Sequence, residues 1–195
     1  MALSISSGAA CRSHEGFTSN GDAVVVAVQG LVQLFALIDA LGHGPDAAVS
    51  ARRAVETLQG NPALTLKELF LSCDRSVVGL RGVVLSALQV RPEGVSFAGV
   101  GNVELYGPPD APRPPCVSGT LGRGLKVFRE YAVEVVPGQR WVLVSDGIRA
   151  RDMVKALAAV AGLDPASAAQ ELVKLAGRPD DDASALIMDF TEGAP

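Results

Sequence analysis

The sequence predicts an α+β fold, in which antiparallel sheets have helices packed outside them. Strand-like runs occur in blocks that are separated by pairs of helical segments, which is typical of antiparallel sheets. The strict alternation of strand and helix that builds a parallel doubly wound sheet is absent from the sequence. The phosphate loop GxxxxGK[ST] and an early GxGxxG are absent too, so GVGN at 99–102 is interpreted as a turn between strands.

The first half of the chain predicts an edge strand, a hairpin and two helices. LSISSGAACR is the edge strand, and DAVVVAVQ with LVQLFALID forms a hairpin around Gly30. PDAAVSARRAVETLQG changes to helical spacing, with Pro45 near its start and Gly60 expected just past its end. The apolar face of this helix is predicted to contain Ala47, Val49, Ala54, Val55 and Leu58. A second helix over LTLKELFLSCDRSVVG is predicted to bury Leu66, Leu69, Phe70 and Cys73.

The second half returns to strands and ends with a helix pair and one more strand. VVLSALQVR, GVSFAGVG and VELYG are predicted strands, and KVFREYAVEVV and RWVLVSD flank the turn PGQ as another hairpin. MVKALAAVAGL and PASAAQELVKLAG predict two helices, the second opening at Pro165, and SALIMDF is the last strand. The loop from Pro108 to Gly124 is long and rich in proline and glycine, so we expect it to influence substrate choice.

Length and composition favour one globular domain over residues 1–195, with a core of about 3–190 and a loose tail over 191–195. The formal net charge is -4 and no run of Lys and Arg exists, which argues against nucleic acid and anionic membranes as partners. Cys11, Cys73 and Cys116 are odd in number and widely separated, and the N-terminus lacks the features of a secretory signal. These observations predict a cytoplasmic protein.

Aspartates stand at the edges of four apolar strands. Asp22 opens DAVVVAV, Asp39 closes LFALID, Asp146 closes WVLVSD, and Asp181 with Asp182 precedes SALIMDF. Strand ends at one edge of a sheet lie close together, so these carboxylates are expected to share a small volume. Crowded carboxylates either bind protons or bind cations, and an oxygen-only set suits Mg²⁺ or Mn²⁺. Two such ions can bridge and deprotonate a water, which gives a nucleophile for phosphate esters.

Glycines and a histidine accompany these aspartates. Gly42, Gly44 and Gly147 lack the side chains that would keep the backbone from a metal, and His43 could protonate a leaving oxygen as a general acid. Each of these residues alone is more typical of a turn, a helix cap or a local hydrogen bond than of a functional site. Their joint occurrence at strand ends, in this order, favours a shared site.

The ordered motifs resemble those of the metal-dependent protein phosphatases of type 2C, and more closely their bacterial SpoIIE-like branch. The resemblance rests on GD at 21–22, DxxGHG at 39–44, GN at 101–102, SDG at 145–147 and DDAS at 181–184. It runs from about Asp22 to Phe190 and implies a four-layer α-β-β-α sandwich with two central antiparallel sheets. It also implies a centre of two Mn²⁺ or Mg²⁺ ions and hydrolysis without a covalent phosphoenzyme.

The resemblance also implies roles for individual residues. Asp39 would bridge both metals, Asp22 would hold one ion, and Asp146 and Asp181 the other, with Asp39 and Asp146 central to catalysis. The backbone carbonyl of Ala40 would complete the set, and Asn102 with the three glycines would support the loops. Arg12 is the upstream candidate for binding phosphate, although it lies ten residues before Asp22.

A chain of this length resembles a free-standing member of the branch that resets the bacterial stressosome. That implies phosphorylated STAS-domain scaffold proteins as partners and phosphoserine or phosphothreonine as the substrate. An alternative is a pseudophosphatase that binds phosphoproteins without chemistry, motivated by Ala40 in place of the usual glycine and by the distant Arg12. Hydrolysis of small phosphoesters is a further alternative, and it would differ only in the shape of the mouth of the site.

Overall fold

Two antiparallel sheets lie face to face at the centre of the molecule. The computed structural model describes residues 3–193. Within that range the strands are Leu3–Arg12 (β1), Asp22–Gln29 (β2), Val32–Ala40 (β3), Val83–Arg91 (β4), Gly94–Val100 (β5), Glu104–Tyr106 (β6), Tyr131–Val133 (β7), Arg140–Val144 (β8) and Ala183–Glu192 (β9). The helices are Pro45–Gly60 (α1), Leu66–Ser76 (α2), Met153–Ala159 (α3) and Pro165–Ala176 (α4), with a 3₁₀ turn at Ala150–Asp152.

The predicted four-layer α-β-β-α sandwich is confirmed. One sheet has the order β1-β9-β8-β6 and the other the order β2-β3-β4-β5-β7. Helices α1 and α2 cover the five-stranded sheet, and α3 and α4 cover the four-stranded sheet. Side chains alternate along β3, so Phe35 and Leu37 point between the sheets while Ala36 and Ile38 pack beneath α1. Three apolar layers therefore hold the four structural layers together.

The predicted hairpin around Gly30 is confirmed and sets the register of β2 and β3. Gln29 pairs with Val32, and the pairing continues without a bulge to Asp22 opposite Asp39. Gly30 has a φ of 60°, a conformation that favours glycine. The two-residue turn thus determines which residues face each other at the far end of the hairpin.

The second predicted hairpin, around the turn PGQ, is wrong. β7 pairs with β5 in one sheet, whereas β8 pairs with β6 and β9 in the other. Residues 134–139 therefore carry the chain from one sheet to the other. Most of KVFREYAVEVV is irregular, and only Tyr131–Val133 forms a strand.

The helices begin close to the predicted residues, but α2 ends three residues and α3 four residues before its predicted end, and the buried face of α1 differs from the prediction. α1 includes Gly60 as its last residue, and it exposes Val49 while it buries Ser50. α2 buries Leu66, Leu69, Phe70 and Cys73, as predicted. It starts with a capping box, in which the Thr65 side chain accepts from the Glu68 N–H and the Glu68 carboxylate accepts from the Thr65 N–H.

Asp74, which the pattern places on the exposed surface of α2, is buried and anchors a long loop. Residues 107–130 contain neither helix nor strand apart from isolated bridges at Val117 and Leu121. One Asp74 oxygen accepts the N–H groups of Gly122 at 2.7 Å and Gly124 at 3.2 Å, and the other accepts that of Leu125 at 3.0 Å. The loop is therefore tied to α2 by three hydrogen bonds to one carboxylate.

The remaining expectations concern the ends of the chain and the cysteines. β1 forms the edge of its sheet as predicted and pairs with β9 over its whole length. The tail predicted as loose over 191–195 begins in β9, which runs to Glu192, and residues 194 and 195 lie outside the described range. All three cysteines are free. In the described part of the chain, no helix combines the length and the apolar character that crossing a membrane requires.

Candidate metal centre

Four aspartates meet at one end of the sandwich, where β2 begins and β3 and β8 end. Asp22 and Asp39 are direct cross-strand partners. Asp146 follows β8 and Asp181 precedes β9, and these two strands are neighbours with Val144 opposite Ala185. Asp22, Asp39, Asp146 and Asp181 are together termed the acidic rim.

Burial and mutual repulsion raise the pKa values of the acidic rim. Burial raises the pKa of Asp39 to about 9, and the charges of Asp22, Asp146 and Asp181 and a hydrogen bond with the Asp146 carboxyl add to the increase. Burial, together with nearby carboxylates, also raises the pKa of Asp22 to about 7, against the hydrogen bond from Ser145. The pKa of Asp181 is raised by burial and by Asp146. Without a cation, the rim must retain protons at neutral pH.

This donor set fits a hard divalent cation. All four side chains present oxygen, the ligand atom that Mg²⁺ and Mn²⁺ prefer, and a divalent ion would replace the protons that the crowded rim otherwise needs. In residues 3–193 no three His, Cys, Asp or Glu side chains are already arranged to hold an ion directly. Asp146 accepts a hydrogen bond from Asn102 Nδ2 at 2.6 Å, and Asp22 accepts one from Ser145 Oγ at 2.7 Å. Neighbouring side chains thus orient two of the four rim carboxylates.

Asp182 has a different role from its neighbour Asp181. It is 5% exposed, and its two oxygens accept the N–H groups of His14 and Gly21, each at 2.7 Å. A β-carbon at Gly21 would lie 3.0 Å from an Asp182 oxygen, so the glycine permits this contact. Asp182 fixes the segment that leads into Asp22, and Asp181 is left to face Asp146.

Ala40 keeps its methyl group away from the acidic rim. Its side chain is fully buried in the apolar layer beneath α1, on the face of β3 opposite to Asp39. Its N–H donates to the carbonyl of Gly21 at 3.0 Å. The methyl that distinguishes Ala40 from glycine therefore does not crowd a cation at the rim.

The three predicted loop glycines lie close to neighbouring groups of the protein, and their role beside a metal stays a prediction. Gly42 and Gly44 each have a φ of 81°, which favours glycine. A β-carbon at Gly42 would lie 2.9 Å from Arg81 Nη1, and one at Gly44 would lie 3.1 Å from the ring of Phe17. At Gly147 it would collide with the carbonyl oxygen of Asp182.

His43 lies in an aromatic cluster beside the DxxGHG loop. Its exposed ring stacks on His14 with centroids 4.7 Å apart and an angle of 29°, and it lies 4.6 Å from Phe17. The contacts of His43 are thus with the segment that Asp182 fixes, and a general-acid role stays a prediction.

Arg12 is not brought to the acidic rim. Its guanidinium donates to the carbonyl of Arg178 and lies against Gly177, at the C-terminal end of α4. Arg178 itself lies closer to the rim, where its charge opposes the increase in the Asp181 pKa. Arg81 and Ser145 are the residues of this region that were not predicted from the sequence, and only Ser145 had a signal, since it is part of the SDG motif. Asp182 was predicted as one of the crowded carboxylates, but not as the residue that binds the main chain of His14 and Gly21.

Comparison with known proteins identifies the fold. No protein-family model and no curated protein sequence matches the chain. A structure from work on the bacterial stressosome, as a modular system adapted to control secondary messenger signaling, has a TM-score of 0.88 and 27% identity and covers 95% of this chain and 99% of that one. RsbX in complex with magnesium has a TM-score of 0.82 and 18% identity, with 96% of each chain covered. The catalytic domain of the serine threonine protein phosphatase PstP in complex with two manganese ions has a TM-score of 0.74 and 18% identity, covering 98% of this chain and all of that one. The chain therefore has the fold of the type-2C phosphatases, and the similarity to RsbX predicted from the sequence is confirmed for the fold.

Proposed function

We propose that the chain is a metal-dependent protein serine/threonine phosphatase. The observation that carries this proposal is the acidic rim, in which Asp39 faces Asp22 across a hairpin and shares a hydrogen bond with Asp146. A cluster that retains protons at neutral pH binds divalent cations in exchange for them. Structural similarity to RsbX with magnesium and to PstP with manganese supports the same function.

The side chains of the four rim aspartates and the backbone carbonyl of Ala40 would hold two Mn²⁺ or Mg²⁺ ions. When bound, the ions supply an activated water and neutralise charge on the phosphate. The chain itself orients the ligands. Asn102 directs Asp146, Ser145 directs Asp22, and the Asp182 bonds to main-chain N–H groups hold the segment before Asp22 in place. On the core side, apolar side chains fill the layer beneath α1 and the layer between the two sheets, so water has no path to the rim from there.

We propose phosphorylated STAS-domain scaffold proteins of a stressosome as the substrates. Support comes from the structure solved in work on the bacterial stressosome, which is 27% identical to this chain over nearly its whole length, and from the similarity to RsbX. A cavity beside the rim offers a further surface for contact with a substrate, because Asn102, which binds Asp146, also lines that cavity. Asn102 lines a cavity of about 300 Å³ whose other wall is formed by Arg113 and Pro114 of the 107–130 loop.

The test is hydrolysis of a small aryl phosphate with Mn²⁺, Mg²⁺ or a chelator. Wild type is compared with Asp39→Asn and Asp181→Asn, and Asp180→Asn is the matched control because Asp180 is an exposed neighbour of Asp181. Turnover that needs the metal, that both rim variants lose and that the control keeps supports the proposal. A folded wild type that is inactive with every ion, both on this substrate and on a phosphorylated STAS-domain protein, contradicts it.

A binding-only protein is the alternative that such inactivity would favour. One motivation for it, Ala40, is weakened by the structure because the methyl group points into the core beneath α1. The other motivation, the absence of an arginine at the rim from the upstream segment, is strengthened by the position of Arg12 against α4. Calorimetry with Mn²⁺ separates the two functions, since a binding-only protein has no need to bind the ion.

A further inference from the structure

Arg81 lies beside the DxxGHG loop that follows Asp39. Its Nη1 is 2.9 Å from the position that a β-carbon on Gly42 would occupy, so the guanidinium lies directly against the Gly42 backbone. Any larger residue at 42 would displace it. The glycine therefore makes room for a cation at this point of the loop.

The pairing of β3 with β4 places Arg81 at the same end of the sandwich as the acidic rim. Asp39 lies opposite Val84 and Ala40 opposite Val83, and the Leu41 N–H donates to the Gly82 carbonyl at 3.1 Å. Arg81 follows as the residue opposite Gly42. Arg81 is three residues before Val84, the residue that faces Asp39 across the strands, and three residues correspond to roughly 10 Å along an extended strand.

The side chain of Arg81 is held weakly by its present partner. Nη2 is 3.2 Å from Asp46 Oδ2, and the two side chains are 47% and 76% exposed. Exposed ion pairs of this kind contribute little to stability, and a guanidinium has five N–H donors. The backbone is fixed more firmly, because the Arg81 N–H donates to Ser50 Oγ at 3.2 Å beneath it. A positioned backbone with an exchangeable side chain suits a residue that changes partner when a ligand arrives.

Two other arginines lie in this region. Arg12 contacts the end of α4, and Arg178 lies near Asp181, beside the four-stranded sheet rather than beside the DxxGHG loop. A phosphate ester brings negative charge to a rim of four aspartates. A positively charged side chain beside the metal ions would therefore favour its binding. Arginine suits this task because its planar fork matches phosphate oxygens.

We infer that Arg81 binds the phosphate group of the substrate, taking the place that the upstream Arg12 does not fill, and that Asp46 competes with the phosphate for it. This inference rests on the proposed phosphatase function. Substrate arrival would exchange the Arg81–Asp46 ion pair for hydrogen bonds between the guanidinium and phosphate oxygens.

The experiment measures KM and kcat for a small aryl phosphate with saturating Mn²⁺, and inhibition by inorganic phosphate. Arg81→Gln is expected to raise both KM and the inhibition constant of phosphate by roughly 10–100-fold, the effect of losing hydrogen bonds to a charged group. For Arg81→Lys, KM and the inhibition constant of phosphate should lie between those of wild type and Arg81→Gln, since a lysine retains the charge without the planar fork of the guanidinium. Asp46→Asn should make phosphate inhibit more strongly.

The matched control is Arg53→Gln, because Arg53 makes a similarly exposed ion pair with Glu56 on α1. It is expected to behave as wild type. If wild type is active with Mn²⁺ and Arg81→Gln has the KM and phosphate inhibition of Arg53→Gln, the inference is wrong and the phosphatase function stands. If wild type has no metal-dependent activity, the proposed function fails and the inference fails with it. Thermal unfolding of each variant shows that an observed loss is not a loss of fold.

Discussion

Replacing Asp74 with asparagine should release the 107–130 loop from α2. The carboxylate accepts three main-chain N–H groups, two on one oxygen and one on the other. Asparagine has a single acceptor oxygen, and its amide group must face at least one of the same N–H donors. One hydrogen bond is therefore lost, and the others lose the strength that the charge of the acceptor gives them.

The magnitude follows from these bonds. A hydrogen bond to a charged group contributes about 1.5–3 kcal/mol, and charge-assisted bonds are about twice as strong as neutral ones. Losing one bond and weakening two should lower the free energy of unfolding by roughly 2–4 kcal/mol, less whatever the loop recovers from water. Helix polarity acts in the opposite direction. Asp74 lies in the last turns of α2, where removing a negative charge stabilises a helix by about 0.3–1 kcal/mol.

Urea unfolding with limited trypsin digestion tests this prediction. The loop contains Arg123 and Lys126, both exposed, and cleavage after them should become faster in Asp74→Asn. Asp110→Asn removes the same charge from an exposed position in the loop and serves as the control. If Asp74→Asn is as stable as the control, or more stable, and is cleaved no faster, then helix polarity outweighs the anchor and the reasoning is refuted.

Four further predictions concern the acidic rim and its surroundings. In the presence of chelator, the contribution of the acidic rim to stability should be greatest below about pH 4 and fall as the pH rises through 7 towards 9, because the folded protein retains protons on Asp22 and Asp39 that the unfolded chain releases above the ordinary aspartate pKa of 3.8. Denaturation at several pH values measures this, and a flat or rising curve would contradict it. Asp39→Asn should be more stable than wild type without metal above neutral pH and should lose the gain when Mn²⁺ is added, as melting temperatures will show. Gly147→Ala should be severely destabilised, by at least about 2 kcal/mol, because its methyl group meets the Asp182 main chain; normal urea unfolding would disprove the contact. Replacing residues 108–124 with a short turn should reduce hydrolysis of a phosphorylated STAS-domain protein more than that of an aryl phosphate, whereas equal losses in the two assays would make the loop structural.

The hairpin at the acidic rim could be predicted from sequence because its information is local. Gly30 marks a tight turn, and counting outward from it places Asp22 opposite Asp39. The positions of Asp146 and Asp181 at the ends of strands could also be predicted from the local sequence. That Asp146 and Asp181 lie close to the hairpin could not be predicted from local sequence, because they belong to the other sheet of the sandwich. Only the order of all the motifs along the chain indicated this packing.

The errors arise where distant parts of the chain decide the outcome. PGQ has the composition of a hairpin turn, but β7 finds a better partner in β5, some thirty-five residues earlier, at Val95–Phe97. Arg12 has the right chemistry near the right strand, but strand alternation turns it towards α4. Asp74 looks like an ordinary helix-surface residue until the loop that covers it is known. Arg81 has no motif at all, since its importance comes from what lies across the sheet.

The Asp182 bonds have a consequence for how the protein is made. They join residues separated by 168 and 161 positions, and the strand that follows Asp182 pairs with the first strand of the chain. On the ribosome, the segment around His14 and Gly21 has to wait until β9 has emerged before it can take its final position. Contacts of such long sequence separation also slow folding. A nascent chain can thus form the helix-covered β2–β5 layer early, but it cannot present a finished set of carboxylates to metal ions until translation has passed Asp181 and β9.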